Sequence, residues 1–198
     1  MNESAITDLV FELSGESLPA FYPFALWEAL VRQVPRLASD ERVGVLPLRG
    51  AQNDGQLLLS KRSKLVLRLP EELIGDASGL AGAQLDVAKN ILTLGESRAR
   101  KIQHYPTLHA QLAAGNDDEV EFIAEVQAHF TRLGISARTI CGIRHTLSDE
   151  KQSIRGYSLV VHDLKPEASI RLQCAGIGEG RRFGCGIFMP YKVITDLD

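Results

Sequence analysis

Apolar residues along this chain change their spacing in the same order twice, and that order constrains the fold more than any single motif. Residues 5–13, AITDLVFEL, end in strict alternation and predict a strand. Gly15 to Pro19 reads as a turn. Across residues 22–37, Phe24, Leu26, Trp27, Leu30, Val31 and Val34 recur at helical spacing, with Pro35 near the end. Trp27 falls on the core side of that helix. Residues 43–49 predict a strand, which Pro47 places at an edge or bulge. Asn53-Asp54-Gly55 marks a turn, and residues 56–69 hold a further strand region ending in KLVLRL. Pro70-Glu71-Glu72 opens a short helix, with proline in the first turn and acids at the positive end of the helix dipole. Residues 84–94 finish the half as a strand or hairpin, so the order is β-α-β-β-α-β.

The second half repeats it. Residues 107–113 predict a strand, and Asn116-Asp117-Asp118 caps a helix over 118–133 that ends on Gly134. Strands over 137–143 and 154–162 flank a polar tip, Ser148 to Ser153. A helix from Pro166-Glu167 to 174, a glycine-rich stretch and a strand over 186–191 complete the order. The junction lies near residues 95–106, around Gly95 and Pro106. These patterns predict an α+β fold of two tandem ferredoxin-like (RRM-like) βαββαβ halves, 1–96 and 97–198. Each would be a four-stranded antiparallel sheet with helices on one face.

Composition adds mainly exclusions. No apolar run approaches the roughly 20 residues that span a bilayer, and Met1 to Asp8 is too polar for a secretory signal. Cys141, Cys174 and Cys185 are widely spaced with no Cys-x-x-Cys pair. That weighs against a disulfide framework and a zinc site and fits a reducing cytoplasm. No metal site and no cofactor is expected.

The net charge of −3 argues against bulk attraction to nucleic acid, so any such partner must be held by local patches. Residues 1–97 carry nine Lys/Arg against thirteen Asp/Glu, whereas 98–198 carry thirteen against twelve. The patches are Lys61-Arg62 and Lys64 with Arg68, Arg98 with Arg100-Lys101, and Arg181-Arg182. The alternative for each is a solvated face.

The most unusual stretch is Gly176-Ile-Gly178-Glu-Gly180-Arg181-Arg182-Phe-Gly184-Cys-Gly186, five glycines in eleven residues. Glycine lets a backbone turn through positive φ and approach a ligand closely. A run of bare N–H groups attracts anions, and two arginines add forked donors for phosphate. The dinucleotide fingerprint needs strand, glycines, helix. Here the order is helix, glycines, strand, and no Gly-Lys-Ser/Thr is present for a phosphate loop. A plain helix-to-strand connection is the competing reading.

A glycine-rich loop between the last helix and last strand of tandem ferredoxin-like halves resembles the signature of the CRISPR-associated endoribonucleases that cut repeat RNA. The likeness extends to Leu164–Gln173 and Gly184–Pro190, which are similar to the C-terminus of a short subgroup of that family. Leu18-Pro19, Leu46-Pro-Leu-Arg-Gly50 and Leu67-Arg-Leu-Pro70 fall where that subgroup has similar segments. The resemblance implies binding of a CRISPR repeat hairpin and metal-independent cleavage at its 3′ base by the RNA's own 2′-hydroxyl. It also implies that the protein stays on the hairpin as a subunit of a crRNA-guided complex, with other CRISPR-associated subunits as partners and no membrane.

In-line attack needs a base, an acid and cations for the phosphorane, and histidine serves well near neutrality. The subgroup leads one to expect histidine at or beside Tyr22 and at Leu46, and neither is present. The five histidines are His104, His109, His129, His145 and His162. Of these, His104 beside Lys101 and His145 beside Arg144 are the ones placed to enter a site. Some members use other residue types, which makes Tyr22 the leading catalytic candidate, with Arg49 and Lys61 as electrostatic partners. A packing role beside Phe21 and Phe24 competes for Tyr22. The RNA-binding candidates are Arg62, Lys64, Arg98, Arg100, Lys101, Arg144, Gly176, Gly178, Gly180, Arg181, Arg182, Gly184 and Gly186. Gly178 and Gly184 are expected to matter for RNA approach more than for folding. Two alternatives stay open: a non-cleaving RNA-binding subunit, and a tandem ferredoxin-like small-molecule-binding or regulatory protein.

Overall fold

The structure, a computed structural model, describes residues 5–191. Met1–Ser4 of the acidic N-terminus and residues 192–198 of the second half lie outside the described residues. Two compact units form. The first holds the chain up to Ile102 with Leu147–Gln152 and Arg181–Gly184. The second holds Gln103–Thr146, Ser153–Gly180 and the chain from Cys185.

The first unit contains β1 (Ile6–Ser14), β2 (Ser17–Pro19), α1 (Tyr22–Gln33), β3 (Gly44–Val45), β4 (Ala51–Asn53) and β5 (Gln56–Leu58). It continues with β6 (Lys64–Pro70), α2 (Ile74–Ser78), β7 (Gln84–Val87) and β8 (Asn90–Lys101). Its main sheet runs β3-β6-β1-β8-β7, and a small sheet runs β2-β5-β4. Leu9, Phe11 and Leu13 of β1 and Leu65, Leu67 and Leu69 of β6 share one core with Leu26, Trp27 and Leu30 of α1. Alternation on the strands and helical spacing on α1 thus meet in a single apolar layer.

Within the first unit β2 forms where a turn was expected and β8 runs on to Lys101, past the expected end at 94, and three further boundaries differ from the sequence reading for a local reason. α1 stops at Gln33, and the chain continues as a 3₁₀ turn over Pro35–Ser39, because Pro35 has no N–H to donate. The strand expected over 43–49 keeps ladder pairs only at Gly44 and Val45. Leu46 N–H still reaches Val66 O at 2.9 Å, but Pro47 ends the ladder. The region 56–69 divides into β5 and β6, with a turn at Ser60–Ser63 between them.

One polar cluster is built into this sheet. Asp8 of β1 lies opposite Arg68 of β6 and Arg100 of β8. Its carboxylate accepts from Arg68 Nε at 2.8 Å and from Arg100 at 3.1 Å, with Asp8 and Arg68 both buried. Such a pair adds little net stability over apolar packing, yet breaking it is costly, so it fixes strand register more than it strengthens the fold.

The second unit contains β9 (Leu108–Ala114), α3 (Glu119–Arg132), β10 (Arg138–Ser148), β11 (Ser153–His162), α4 (Pro166–Ala175) and β12 (Met189–Pro190), with sheet order β10-β11-β9-β12. Asp118 caps α3 by accepting from Val120 and Glu121 N–H at 3.0 and 3.1 Å. Phe122, Val126 and Phe130 pack with Leu108, Leu159, Val161 and Phe188. The final strand is shorter than the expected 186–191 because Gly184–Gly186 are used in a turn. In each unit the four main strands lie in the spatial order second, third, first, fourth. That is the antiparallel ferredoxin-like arrangement, so the α+β tandem architecture predicted from periodicity is present in both halves.

Candidate nucleic-acid interface and catalytic corner

The three residues singled out for catalysis lie 39 positions apart in sequence at most, and the fold ties their segments together in the first unit. Tyr22 opens α1, Arg49 sits in the loop after Pro47, and Lys61 sits in the Ser60–Ser63 turn. Leu48 N–H donates to the Tyr22 hydroxyl oxygen at 2.9 Å. The Ser63 hydroxyl donates to the Arg49 carbonyl at 2.9 Å and accepts from Ser60 N–H at 3.0 Å. Ser60 Oγ in turn accepts from Arg62 N–H at 3.2 Å. Arg49, Lys61 and Arg62 are exposed, so the corner presents cations on a hydrogen-bonded base.

The Tyr22 side chain is half-buried with its hydroxyl end enclosed. Burial pushes the hydroxyl up to about 12, and the bond from Leu48 N–H offsets part of that rise. The group is therefore neutral at any physiological pH and is no general base. Its folded value lies above its ordinary 10.0, so the stability it lends is complete below pH 10.0 and is lost as pH rises through about 12. Urea midpoints from about pH 8 to about pH 11 should fall for the parent chain and fall less for Tyr22→Phe. Parallel curves would mean that the hydroxyl ionises no differently in the folded chain.

The remaining cations divide by their partners. Arg98 is exposed on β8, and Lys101 is exposed at its end. Arg100 is held by Asp8, Lys64 is paired with Glu12, and Arg144 is paired with Asp117, which also takes Arg155 at 3.4 Å. The groove beside that last cluster, about 660 Å³, is lined by Asp117, Glu125 and Glu179 as well as Arg155. It offers no net positive field for phosphate.

Arg181–Phe183 pack within the first unit near α1 and β3. Arg181 Nε donates to the Arg42 carbonyl at 3.0 Å, so this arginine is turned inward. Arg182 is exposed, its guanidinium 5.5 Å from the Phe183 ring centre, and Phe183 meets Phe24 edge-on at 4.8 Å. Gly184 lies against Val45 and Pro47, the start of the loop that carries Arg49.

The glycine loop is less open than its composition suggests. N–H groups of Gly176, Ile177, Gly184, Cys185 and Gly186 bond to carbonyls of Leu172, Gly186, Arg181, Gly180 and Leu112 respectively. Gly178 holds φ at +64°, and a Cβ there would stand 2.4 Å from the Ala114 carbonyl oxygen. The fold of the second unit by itself therefore requires glycine at that position.

Among the histidines, His129 Nε2 sits 2.8 Å from the Gly176 carbonyl, and His162 Nδ1 sits 3.3 Å from Thr107 Oγ1. Burial, with some help from nearby His145, lowers His109. No histidine occurs in residues 20–24, 46–50, 60–64 or 181–184, which make up the corner.

A family model for Cas6 of CRISPR systems matches residues 7–193. A relative from Myxococcus xanthus, the CRISPR-associated endonuclease Cas6, is 32% identical over 96% of this chain and 83% of its own length. The chain belongs to the Cas6 family. The fold agrees with solved Cas6 structures. The product of a Cas6-related gene from Pyrococcus furiosus has a TM-score of 0.68 at 13% identity, covering 98% of this chain and all of that one. Thermus thermophilus Cse3, solved with an RNA representing a pre-cleavage complex, has a TM-score of 0.55 at 14% identity, covering 93% of this chain and 98% of its own.

Against that Cas6 background, sequence reasoning missed two groups. Ser63 carries no signal in isolation, since a serine between two basic residues reads as surface. Asp8 was missed, and Arg68, counted from the sequence in the first basic patch, is instead buried and paired with Asp8, a correction that only the strand register shows. No helix among the described residues is long and apolar enough to cross a membrane.

Proposed function

We propose that this Cas6-family chain binds a CRISPR repeat hairpin and cleaves it by attack of the RNA's own 2′-hydroxyl on the adjacent phosphate. The observation that supports this reading is the set of hydrogen bonds that ties together the segments carrying Tyr22, Arg49 and Lys61: Leu48 N–H to the Tyr22 hydroxyl, Ser63 to the Arg49 carbonyl, and Ser60 N–H to Ser63. The 2′-oxygen forms the new P–O bond, the 5′-oxygen leaves and takes up a proton, and the products are a 2′,3′-cyclic phosphate and a 5′-hydroxyl. Arg49 and Lys61 stabilise the charge that builds on the phosphorane, commonly the largest contribution in such a site. Tyr22 stays protonated, with its own O–H as a donor. The 2′-proton then goes to solvent hydroxide, and the cleavage rate should climb steadily with pH rather than follow a bell. Incubation of a 5′-labelled repeat RNA in EDTA tests the reading, with a 2′-deoxy substitution at the scissile nucleotide as control. Cyclic-phosphate product from the ribose substrate alone is expected, and cutting of the deoxy RNA would reject the mechanism.

Binding should weaken with salt, because each neutralised phosphate releases counterions. Arg62, Arg98 and Arg182 are exposed cations outside the ion pairs described above. Replacing all three by alanine should flatten the log–log salt slope by about 2 to 3, whereas Arg144→Ala, already paired with Asp117, should change it little. Equal slopes for the triple variant and the parent would remove these residues from the interface.

A second reading is favoured by the neutral Tyr22 and the lack of histidine in the corner: a Cas6-family subunit that holds the hairpin without cutting it. Tight binding without product in the same assay selects it. In either case the RNA-bound chain is a natural subunit of a crRNA-guided complex with other CRISPR-associated proteins. The wide spacing of Cys141, Cys174 and Cys185 goes with the reading of a reducing, cytoplasmic setting.

A further inference from the structure

We infer that Ser63 is a positioning residue that locks Arg49 and Lys61 into one phosphate clamp. This deepens the cleavage reading and rests on it. Ser63 is 2% exposed, one of few buried polar side chains in the first unit. Its single hydroxyl makes two bonds with opposite roles: it donates to the Arg49 carbonyl and accepts from Ser60 N–H, at 2.9 and 3.0 Å. A hydroxyl is the smallest group that can do both at once.

The two segments it joins are the two ends of the β4–β5 excursion. That hairpin leaves the loop just after Arg49 and returns to the turn that holds Lys61 and Arg62. Its strands have three residues each, and its tip, Asn53 to Gly55, is exposed. A hairpin this short holds its ends together weakly by itself, and only its β5 side is paired further, with β2. Leu57 anchors it to the core, and Gly50 lets its base close tightly, since a Cβ there would stand 2.2 Å from the Leu58 carbonyl. Ser63 then closes the base on the side of the cations. Tyr22 fixes the neighbouring peptide through Leu48 N–H, so the backbone on either side of the Leu48–Arg49 bond is pinned, from α1 on one side and from the turn on the other.

Transition-state stabilisation of this kind depends on donors held in place before the reaction, and a shift of about 1 Å can cost two orders of magnitude in rate. Without the Ser63 hydroxyl, Arg49 and Lys61 keep their charges, but the backbone segments that carry them lose this tie. The loss should therefore fall on the chemical step more than on RNA affinity.

The experiment measures single-turnover cleavage and RNA affinity for Ser63→Ala, Ser63→Thr, Arg49→Ala and the Arg49→Ala/Ser63→Ala pair. Ser63→Cys, which keeps the volume with a poor hydrogen-bonding group, is read in place of alanine if the alanine chain does not fold. Ser63→Ala should slow cleavage about 10- to 100-fold with affinity changed less than about 3-fold. Ser63→Thr, which keeps the hydroxyl, should restore most of the rate. The pair should be no slower than Arg49→Ala alone, because a clamp already lacking its arginine has little left to position. Cleavage by Ser63→Ala within about 2-fold of the parent, or a full additional loss in the Arg49→Ala background, overturns the positioning role while leaving the cleavage reading intact. Failure of the parent chain to bind repeat RNA overturns both. Binding without cleavage by the parent overturns the cleavage reading and the positioning role that rests on it.

Discussion

Arg49→Ala is expected to slow cleavage of the repeat hairpin by about 10²- to 10³-fold while leaving RNA affinity within several-fold. The split follows from where the charge appears. In the bound hairpin the scissile phosphate carries one negative charge, and several other cations share the task of holding the backbone. In the phosphorane a second charge develops on the equatorial oxygens, and only groups already aimed at those oxygens respond to it. Arg49 offers a planar fork suited to two such oxygens at once, so Arg49→Lys should recover only part of the rate. Lys61→Ala should fall in the same direction with a smaller loss, since an ammonium on a flexible stem is a less directed donor. Single-turnover rates with saturating protein give the chemical step, and filter binding gives the affinity. If Arg49→Ala weakens affinity and rate by the same factor, Arg49 holds the ground state only. If neither changes, the reacting phosphate lies elsewhere on the protein.

The fold was legible because two periodicities dominate it. Leu9, Phe11 and Leu13 alternate, Leu26, Trp27 and Leu30 recur at helical spacing, and both sets belong to the same buried cluster. The signal failed where a single residue overrides its neighbours. Pro35 shortened α1, and Pro47 turned an expected seven-residue strand into a two-residue one followed by an irregular loop. That loop carries Arg49, so the segment hardest to read from periodicity is the one that matters most for the corner. The candidate site residues are chemical types, cations and a tyrosine near a proline, that a sequence offers directly. It does not offer their partners. Asp8 with Arg68 and Ser63 with Arg49 are pairings of register and loop closure, separated by 60 and 14 residues, and no local pattern encodes them. The missing histidines had the opposite fate. They were evident from the sequence, and the geometry added a consequence, since a tyrosine pushed up to about 12 cannot take over as base.

The glycine-rich loop has its largest expected effect on folding. Gly186→Ala should destabilise the second unit by about 3 to 5 kcal/mol, combining the strain of a side chain in the left-handed region with the cost of an unaccommodated methyl group. Gly186 holds φ at +63°, and a Cβ there would fall 1.7 Å from the Ile177 carbonyl, closer than any neighbour can yield without moving backbone. The same residue donates its N–H to Leu112 O of β9 at 2.7 Å and accepts from Ile177 N–H at 3.0 Å. Any shift that relieves the methyl group therefore breaks a bond to the sheet or opens the loop. Against a total stability of about 5 to 15 kcal/mol, such a change leaves a chain that is marginal at best. Gly75→Ala supplies the control: it lies in α2, and its Cβ would meet nothing within 4 Å, so stability should hold or rise slightly. Urea unfolding of both variants gives the difference directly, and far-UV dichroism reports whether Gly186→Ala folds at all. A Gly186→Ala chain within about 1 kcal/mol of the parent would mean that the turn can reshape. RNA affinity per folded molecule is the second measurement. It should stay near the parent value, because the backbone groups of Gly186 are already committed within the second unit. A folded variant that has lost RNA would return this glycine to the interface.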